Sequence, residues 1–302
     1  MIRDYFLLLR PQHWVKNLAV FAGPAFALQL THADTLWRAA VAFVAFCLAS
    51  SAVYTVNDTI DREADARHPT KRHRPIARGA IHPVSAVTFG GLLVVGGTLL
   101  SSWLLPRTAT LMLVFYFVLM LAYSTTLKQR IILDVIVISV GFVLRASAGA
   151  EASQVYLSPW LLICTFMICM FMGFGKRRCE LATFNSLAEA QEHRSTLTRY
   201  TPELLNHLTS VSAGIAIITF VQYTMTVDPH HPTPFNKQHL LYTLPLVAYG
   251  IFRYAMLIET GKLHGPTEIL LKDRPFLATV VLWGLIALGV VYEAKLRTWT
   301  GL

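Results

Sequence analysis

The sequence predicts an all-α, polytopic integral membrane protein. Three observations carry that reading. Of 302 residues, 54% are hydrophobic and only 14% charged, with mean hydropathy +0.50, whereas a soluble domain carries about 25% charged residues. Nine apolar runs approach the roughly 20 residues that cross a bilayer as a helix. The basic residues fall on alternate sides of those runs.

The runs are 15–30, 37–57, 85–105, 109–127, 131–149, 157–175, 207–227, 239–258 and 276–294. The segment ahead of them, MIRDYFLLLRPQHWVKN, is interrupted by Arg10 and Pro11. It lacks the long apolar centre and small-residue cleavage site of a signal peptide and is expected to be a short interfacial helix. Trp14 marks the interface at which the first span begins.

Orientation follows from the charges. The amino-terminal segment and the connections after spans two, four, six and eight hold 20 of the 26 Lys and Arg residues. The opposite side has Arg38, Arg107, Lys237, Lys295 and Arg297, and Arg145 alone lies inside a span. The split places the amino terminus in the cytoplasm and the carboxyl terminus outside. It also accounts for the +9 charge and pI near 9.5 as topology signal and lipid-headgroup attraction, so no nucleic-acid partner is expected. The four cysteines show no CxxC or Cys/His spacing and read as core residues. His230 and His231, among prolines in the longest outer connection, read as a solvated turn.

The chain is expected to form a single membrane domain over 1–302, its nine helices surrounding a central cavity that opens to the cytoplasm. Long charged cap loops cover about 58–84, 176–206 and 259–275 on that face. Spans two and six each run into such a loop, a weak topological repeat that would set both loops over one opening.

The chemistry centres on NDTIDREADARHPTKRHRPIA, 57–77. Asp58, Asp61 and Asp65 stand at i, i+3 and i+7, one stripe on a helix with Asn57 beside it. Adjacent carboxylates repel unless a cation intervenes, and hard oxygen donors beside Lys71, Arg72 and Arg74 suit Mg2+ shared with a phosphate or diphosphate. The candidate metal ligands are therefore Asn57, Asp58, Asp61 and Asp65; the candidate catalytic residues are Asp58, Asp61, Lys71 and Lys176. After span six, FGKRRCEL offers Lys176, Arg177 and Glu180. These residues either hold phosphate oxygens or form positive-inside anchors with a Lys176–Glu180 helix pair. Tyr123 and Lys128 end span four, the tyrosine as a phosphate donor or a belt aromatic. Asp134 reads as a helix amino-terminal residue. Arg145, roughly 16 Å further along the same helix, reads as a structural tie between helices rather than a ligand. Asp273 and Arg274 either close over the site or flank the start of the last span. Lys16 and Asn17, at the level of the acidic stripe, are further candidate phosphate ligands.

NDxxDxxxD at the end of span two, nine helices and a cytoplasmic site resemble the UbiA-type intramembrane prenyltransferases over essentially the whole chain. In that family the Asp motif binds Mg2+ on a diphosphate and the helices leave a lateral opening for a polyprenyl chain. The family's second Asp-rich motif is replaced here by GKRRCEL. The combined run LRPxxWVKN (9–17), SAVYxVNDxxDxExDxxHPTKRxRPIA (51–77), LRAxAG (144–149), GKRxxEL (175–181) and LxDR (271–274) is similar to the polyprenyl-phosphate phosphoribosyltransferase branch. That similarity implies 5-phosphoribosyl 1-diphosphate as donor and a polyprenyl (decaprenyl) phosphate as acceptor, in arabinan precursor synthesis for a cell wall. The implied setting is a bacterial inner membrane. The family also implies a homo-oligomer, with a trimer among the forms. Two other activities fit the same motifs: prenyl transfer to a small or aromatic acceptor, and non-enzymatic carriage of a lipid phosphate. The near absence of ionisable groups in the outer halves of the spans disfavours carriage.

Overall fold

The computed structural model describes residues 2–67, 71–183, 197–260 and 266–293. His68–Thr70, the basic residues Arg194, Lys262, Lys295 and Arg297, and parts of the second and third cap loops lie outside them. Every regular element among the described residues is helical, in two compact units. The first comprises Met1–Ala25, Gln29–Lys128 and Val140–Tyr156; the second comprises Phe26–Leu28, Gln129–Ser139 and Leu157–Leu302.

Eight helices among the described residues are long and apolar enough to cross a membrane, one for each expected run except the first. The first run differs from expectation. After α1 (Ile2–Leu9), the chain forms an 11-residue 3-10 helix over Pro11–Phe21 and then the five-residue α2 (Ala22–Phe26). A 3-10 run longer than three or four residues is uncommon, but it rises about 2.0 Å per residue. Laid end to end, the two pieces reach about 30 Å, the thickness of the hydrocarbon core. Three residues per turn put Trp14, Asn17 and Val20 on one edge. Asn17 and Val20 are fully buried there, and the Trp14 indole donates to Ser51 Oγ at 3.1 Å. The segment's backbone lies against the helix that carries Gly149, where an added Cβ would collide with the Val20 carbonyl.

The first unit is built on α3, Ala33–Ile60, whose small buried residues Ala39, Ala42, Ala45, Ala49 and Ala52 admit close neighbours. α5 (Pro83–Leu104) approaches it at Gly97, where an added Cβ would stand 3.1 Å from the Ala45 carbonyl oxygen, a tight contact. α6 (Arg107–Thr125) also contacts α3. α3 stops at Asp61, and α4 (Arg62–Arg67) follows at once. α1 is clamped by Leu8 packing on Ile76, Ile81 and Ala86, and by an Arg78–Asp4 ion pair. The outer faces of α5 and α6 expose Leu92, Val95 and Leu99, and Leu111, Phe115 and Val118, at helical spacing. Such stripes suit contact with lipid tails rather than water. α7, Leu133–Ala152, divides its residues between the units.

In the second unit, α8 (Pro159–Thr183) packs along α9 (Pro202–Met225). α10 (Leu244–Glu259) follows a 3-10 turn, Lys237–Thr243, and α12 (Arg274–Val291) follows the short α11 (Pro266–Lys272). Its core includes Phe171, Ala216, Tyr254 and Ile258, and a second cluster of Cys164, Phe220, Tyr223 and Leu240. α9 and α12 begin with Pro in the first turn, capped by Thr201 and Asp273. Cys47, Cys164 and Cys179 are buried, as the sequence suggested. His230 and His231 form an exposed turn closed by Asp228.

Candidate functional site

The acidic motif sits at the α3–α4 junction. The long α3 and the short α4 continue one another through the Asp61 and Asp65 amides, which bond the Asn57 and Asp61 carbonyls at 2.9 and 2.8 Å. Asp58 and Asp65 are buried, while Arg62 and Glu63 are exposed. The stripe exists, but its carboxylates do not form a ready-made metal cradle. Among the described residues, no three His, Cys, Asp or Glu side chains converge tightly enough to hold an ion. Cations separate them instead. Arg10 Nη2 stands astride Asp58, 2.5 and 2.8 Å from its two oxygens. Arg74 Nη1 bridges Asp58 Oδ1 at 3.0 Å and Asp65 Oδ2 at 2.5 Å. Lys128 Nζ meets Asp61 Oδ1 at 2.7 Å, and the Asn57 amide donates to Asp61 Oδ2 at 3.0 Å. Desolvated carboxylates need such partners, since an unpaired buried charge costs several kcal/mol.

Of the expected phosphate ligands in this unit, Arg74 and Lys128 therefore meet the acidic motif directly. Lys71 is half-buried; Arg72 and Lys16 are exposed, and Tyr123 is half-buried. Asn17 departs from expectation. It is fully buried, its amide donates to Ser50 Oγ and Cys47 Sγ, and its oxygen accepts from Arg145 Nε at 2.7 Å. Those bonds occupy it as core support, not as an open ligand. Arg145 acts structurally, as expected. It also donates to the Gly141 carbonyl at 3.0 Å and the Tyr116 hydroxyl at 2.6 Å, and lies over the Tyr116 and Phe142 rings. Neutral oxygens and ring faces thus hold an intramembrane guanidinium in place.

In the second unit, Arg177 is also buried in contacts. Its Nε donates to Asp134 Oδ2 at 2.8 Å and its Nη1 pairs with Glu180. Asp134, read from sequence as a helix-start residue, is fully buried and accepts from the Tyr200 hydroxyl at 2.8 Å. That same hydroxyl accepts the Ile132 N–H at 2.6 Å, holding a β-branched residue at φ 67°. Such a backbone costs on the order of 1–3 kcal/mol and needs support. Burial pushes the Tyr200 hydroxyl well above its ordinary pKa. Lys176 is exposed and 3.7 Å from Glu180, the helix pair weighed as an alternative to a ligand role. Asp273 likewise caps α12 and pairs with Arg253 at 2.7 and 2.9 Å, while Arg274 is exposed. Arg10, Tyr116, Tyr200 and Arg253 escaped sequence reasoning. An acidic residue set among Ile131, Ile132 and Val135 was the one available sign that Asp134 is buried.

The sequence matches the UbiA prenyltransferase family over residues 18–267. It is 35% identical to decaprenyl-phosphate phosphoribosyltransferase of Mycolicibacterium smegmatis, spanning 94% of this chain and 92% of that one. Identity to the protein of the same name from Mycobacterium tuberculosis is 34%, over 91% and 90% of the two chains. A UbiA homologue from Archaeoglobus fulgidus, solved bound to GPP and Mg2+, superposes with a TM-score of 0.70 at 15% identity, covering 96% of this chain and 98% of that one. With its polytopic helical fold and the acidic motif at the end of α3, the chain belongs to the UbiA prenyltransferase family.

Proposed function

We propose that the protein is a Mg2+-dependent polyprenyl-phosphate phosphoribosyltransferase serving cell-wall precursor synthesis. It moves the 5-phosphoribosyl group from 5-phosphoribosyl 1-diphosphate to a polyprenyl phosphate and releases diphosphate. The observation that carries the reading is 32–35% identity to decaprenyl-phosphate phosphoribosyltransferases over at least 91% of the chain. The distribution of Lys and Arg supports a donor site on the cytoplasmic face of a bacterial inner membrane.

The acidic set fits a hard divalent ion. Asn57, Asp58, Asp61 and Asp65 offer oxygen donors, and Arg74 Nη1 already stands as a positive charge between two of the carboxylates. Mg2+ held there supplies charge neutralisation to the leaving diphosphate. Lys71, Arg72, Arg74 and Lys128 bind the donor's remaining phosphate oxygens and keep the ribose oriented. An oxygen of the lipid phosphate attacks ribose C1 as the C1–O bond to diphosphate breaks and the leaving group takes the electron pair. The attacking phosphate is already anionic, so the chain needs no general base, and its fixed cations offset charge on the leaving group. The apolar outer faces of the spans leave the acceptor's tail in the bilayer.

The test is diphosphate release by purified protein with Mg2+, 5-phosphoribosyl 1-diphosphate and polyprenyl phosphate. Release that requires both substrates, and is lost in Asp58→Ala, supports the reading. Turnover of a polyprenyl diphosphate with an aromatic acceptor, and none of the phosphoribosyl donor, overturns it.

A further inference from the structure

The end of the second unit remote from Arg177 holds a pocket that the proposed reaction does not use. α8 begins at this end and α9 finishes there. The pocket encloses about 180 Å3, and its lining includes Thr224, Asp228, Thr233, Asn236, Lys237 and Gln238. That is smaller than the roughly 300–1,000 Å3 of an ordinary ligand site and suits a small polar group.

Lys237 gives the pocket its character. It is only 8% exposed. Its Nζ donates to the Thr226 carbonyl at 2.9 Å and lies 5.2 Å from the centre of the Tyr223 ring. An ammonium has three N–H donors, so one carbonyl and one ring face leave at least one donor over. Among the described residues, no carboxylate forms an ion pair with it. The buried Arg177 of the same unit, by contrast, meets Asp134 and Glu180. A buried charge without an ionic partner is costly, and an anion in the pocket removes that cost. Thr226 follows the last turn of α9, so capping of that helix explains one of the lysine's bonds but not its burial beside a pocket.

The pocket also has a negative group. Asp228 accepts the His230 N–H at 2.9 Å and faces His231 Nδ1 at 3.3 Å, and its side chain stays 29% exposed. One ammonium and one carboxylate in a small pocket complement a ligand that carries an anion and a cation close together. Lys237 opens the span Lys237–Glu259, which sets the pocket at the level of lipid headgroups. Met225, Val227 and Tyr242, neighbours of the lining residues along the chain, are exposed and apolar enough to lie beside acyl chains.

We propose that this pocket binds the phosphoethanolamine headgroup of a membrane phospholipid, Lys237 taking a phosphodiester oxygen and Asp228 the ammonium. The bound lipid ties the connection between α9 and α10 to its leaflet. The site is independent of the acidic motif and of the proposed reaction.

The experiment titrates dioleoyl phosphatidylethanolamine, and separately dioleoyl phosphatidylglycerol, into the full-length protein in detergent. Bound lipids are counted by native mass spectrometry. Wild type should hold one phosphatidylethanolamine in preference to phosphatidylglycerol, and excess inorganic phosphate should not displace it. Lys237→Gln keeps a donor for the Thr226 carbonyl and loses the charge; it should weaken that lipid about tenfold, whereas Lys237→Arg should keep it within about threefold. Asp228→Asn should abolish the preference for ethanolamine over glycerol. Unchanged phosphatidylethanolamine affinity in Lys237→Gln overturns the proposal, and so does a lower unfolding temperature without any change in lipid affinity, the result a capping role alone would give. Displacement by inorganic phosphate identifies a free anion as the ligand and overturns the lipid assignment. If Lys237→Gln does not yield a monodisperse particle, Asp228→Asn decides: an undiminished preference for ethanolamine overturns the proposal.

Discussion

Replacing Arg177 by Met should destabilise the second unit more than almost any other single change. Asp134 is fully buried and Arg177 is 3% exposed, so neither charge has recourse to water. Removing the guanidinium takes away the ion 2.8 Å from Asp134 Oδ2; the Tyr200 hydroxyl, one of the contacts that remain, is a neutral donor. Breaking a buried pair from one side costs about 3–5 kcal/mol. Glu180 adds little to that cost, because it is 17% exposed and has Lys176 at 3.7 Å. Asp134→Asn should be milder, about 1–3 kcal/mol, since Glu180 still faces the guanidinium and Asn keeps an acceptor. The double variant removes both charges and should be more stable than Arg177→Met alone, a coupling of about 2 kcal/mol. Thermal unfolding of the four proteins in one detergent, followed by tryptophan fluorescence, gives the ranking. Arg177→Met should unfold on the order of 10 °C below wild type. Additive losses, or an unshifted Arg177→Met, would refute the argument that an uncompensated buried charge dominates.

Two other changes probe different parts of the fold. Gly149→Ala places a methyl group where Val20 backbone atoms lie, so the 3-10 helix must retreat; a loss of about 1–3 kcal/mol or more is expected, read as a lower unfolding temperature and a poorer yield of folded protein. The Arg253 hydrogen bond holds the Asp273 carboxyl below the ordinary carboxylate range. A depressed folded-state pKa gives stability that is present above the ordinary carboxylate pKa and lost as pH falls through the lowered one. Unfolding temperatures of wild type and Asp273→Asn should therefore converge on acidification, and a gap that widens in acid would contradict this pairing.

The spans were readable because crossing a bilayer demands long apolar runs, and eight of these became helices of the expected extent. The first takes a form that its apolar run alone does not foretell, a 3-10 helix whose buried edge repeats every third residue. The acidic stripe was readable from local spacing, since Asp58, Asp61 and Asp65 follow one another within two turns. Its partners were not. Arg10 precedes Asp58 by 48 positions, and no pattern along the chain links them. From sequence, Arg177 reads as a phosphate ligand or a basic anchor, and Asp134 as a helix start. Their true partner was the other, and only the fold brings them together. Asn17 shows the opposite error: a polar residue near the expected site turned out to be fully engaged within the core.

The 3-10 segment counts in threes, and that makes its length a fixed quantity. One residue gained or lost between Pro11 and Val20 would turn everything beyond the change by about 120° and swing the Asn17 amide off the Arg145 guanidinium. On the other two edges Gln12 and Leu18 face outward and can exchange freely. Homologous chains should vary here in spelling while holding the same number of letters.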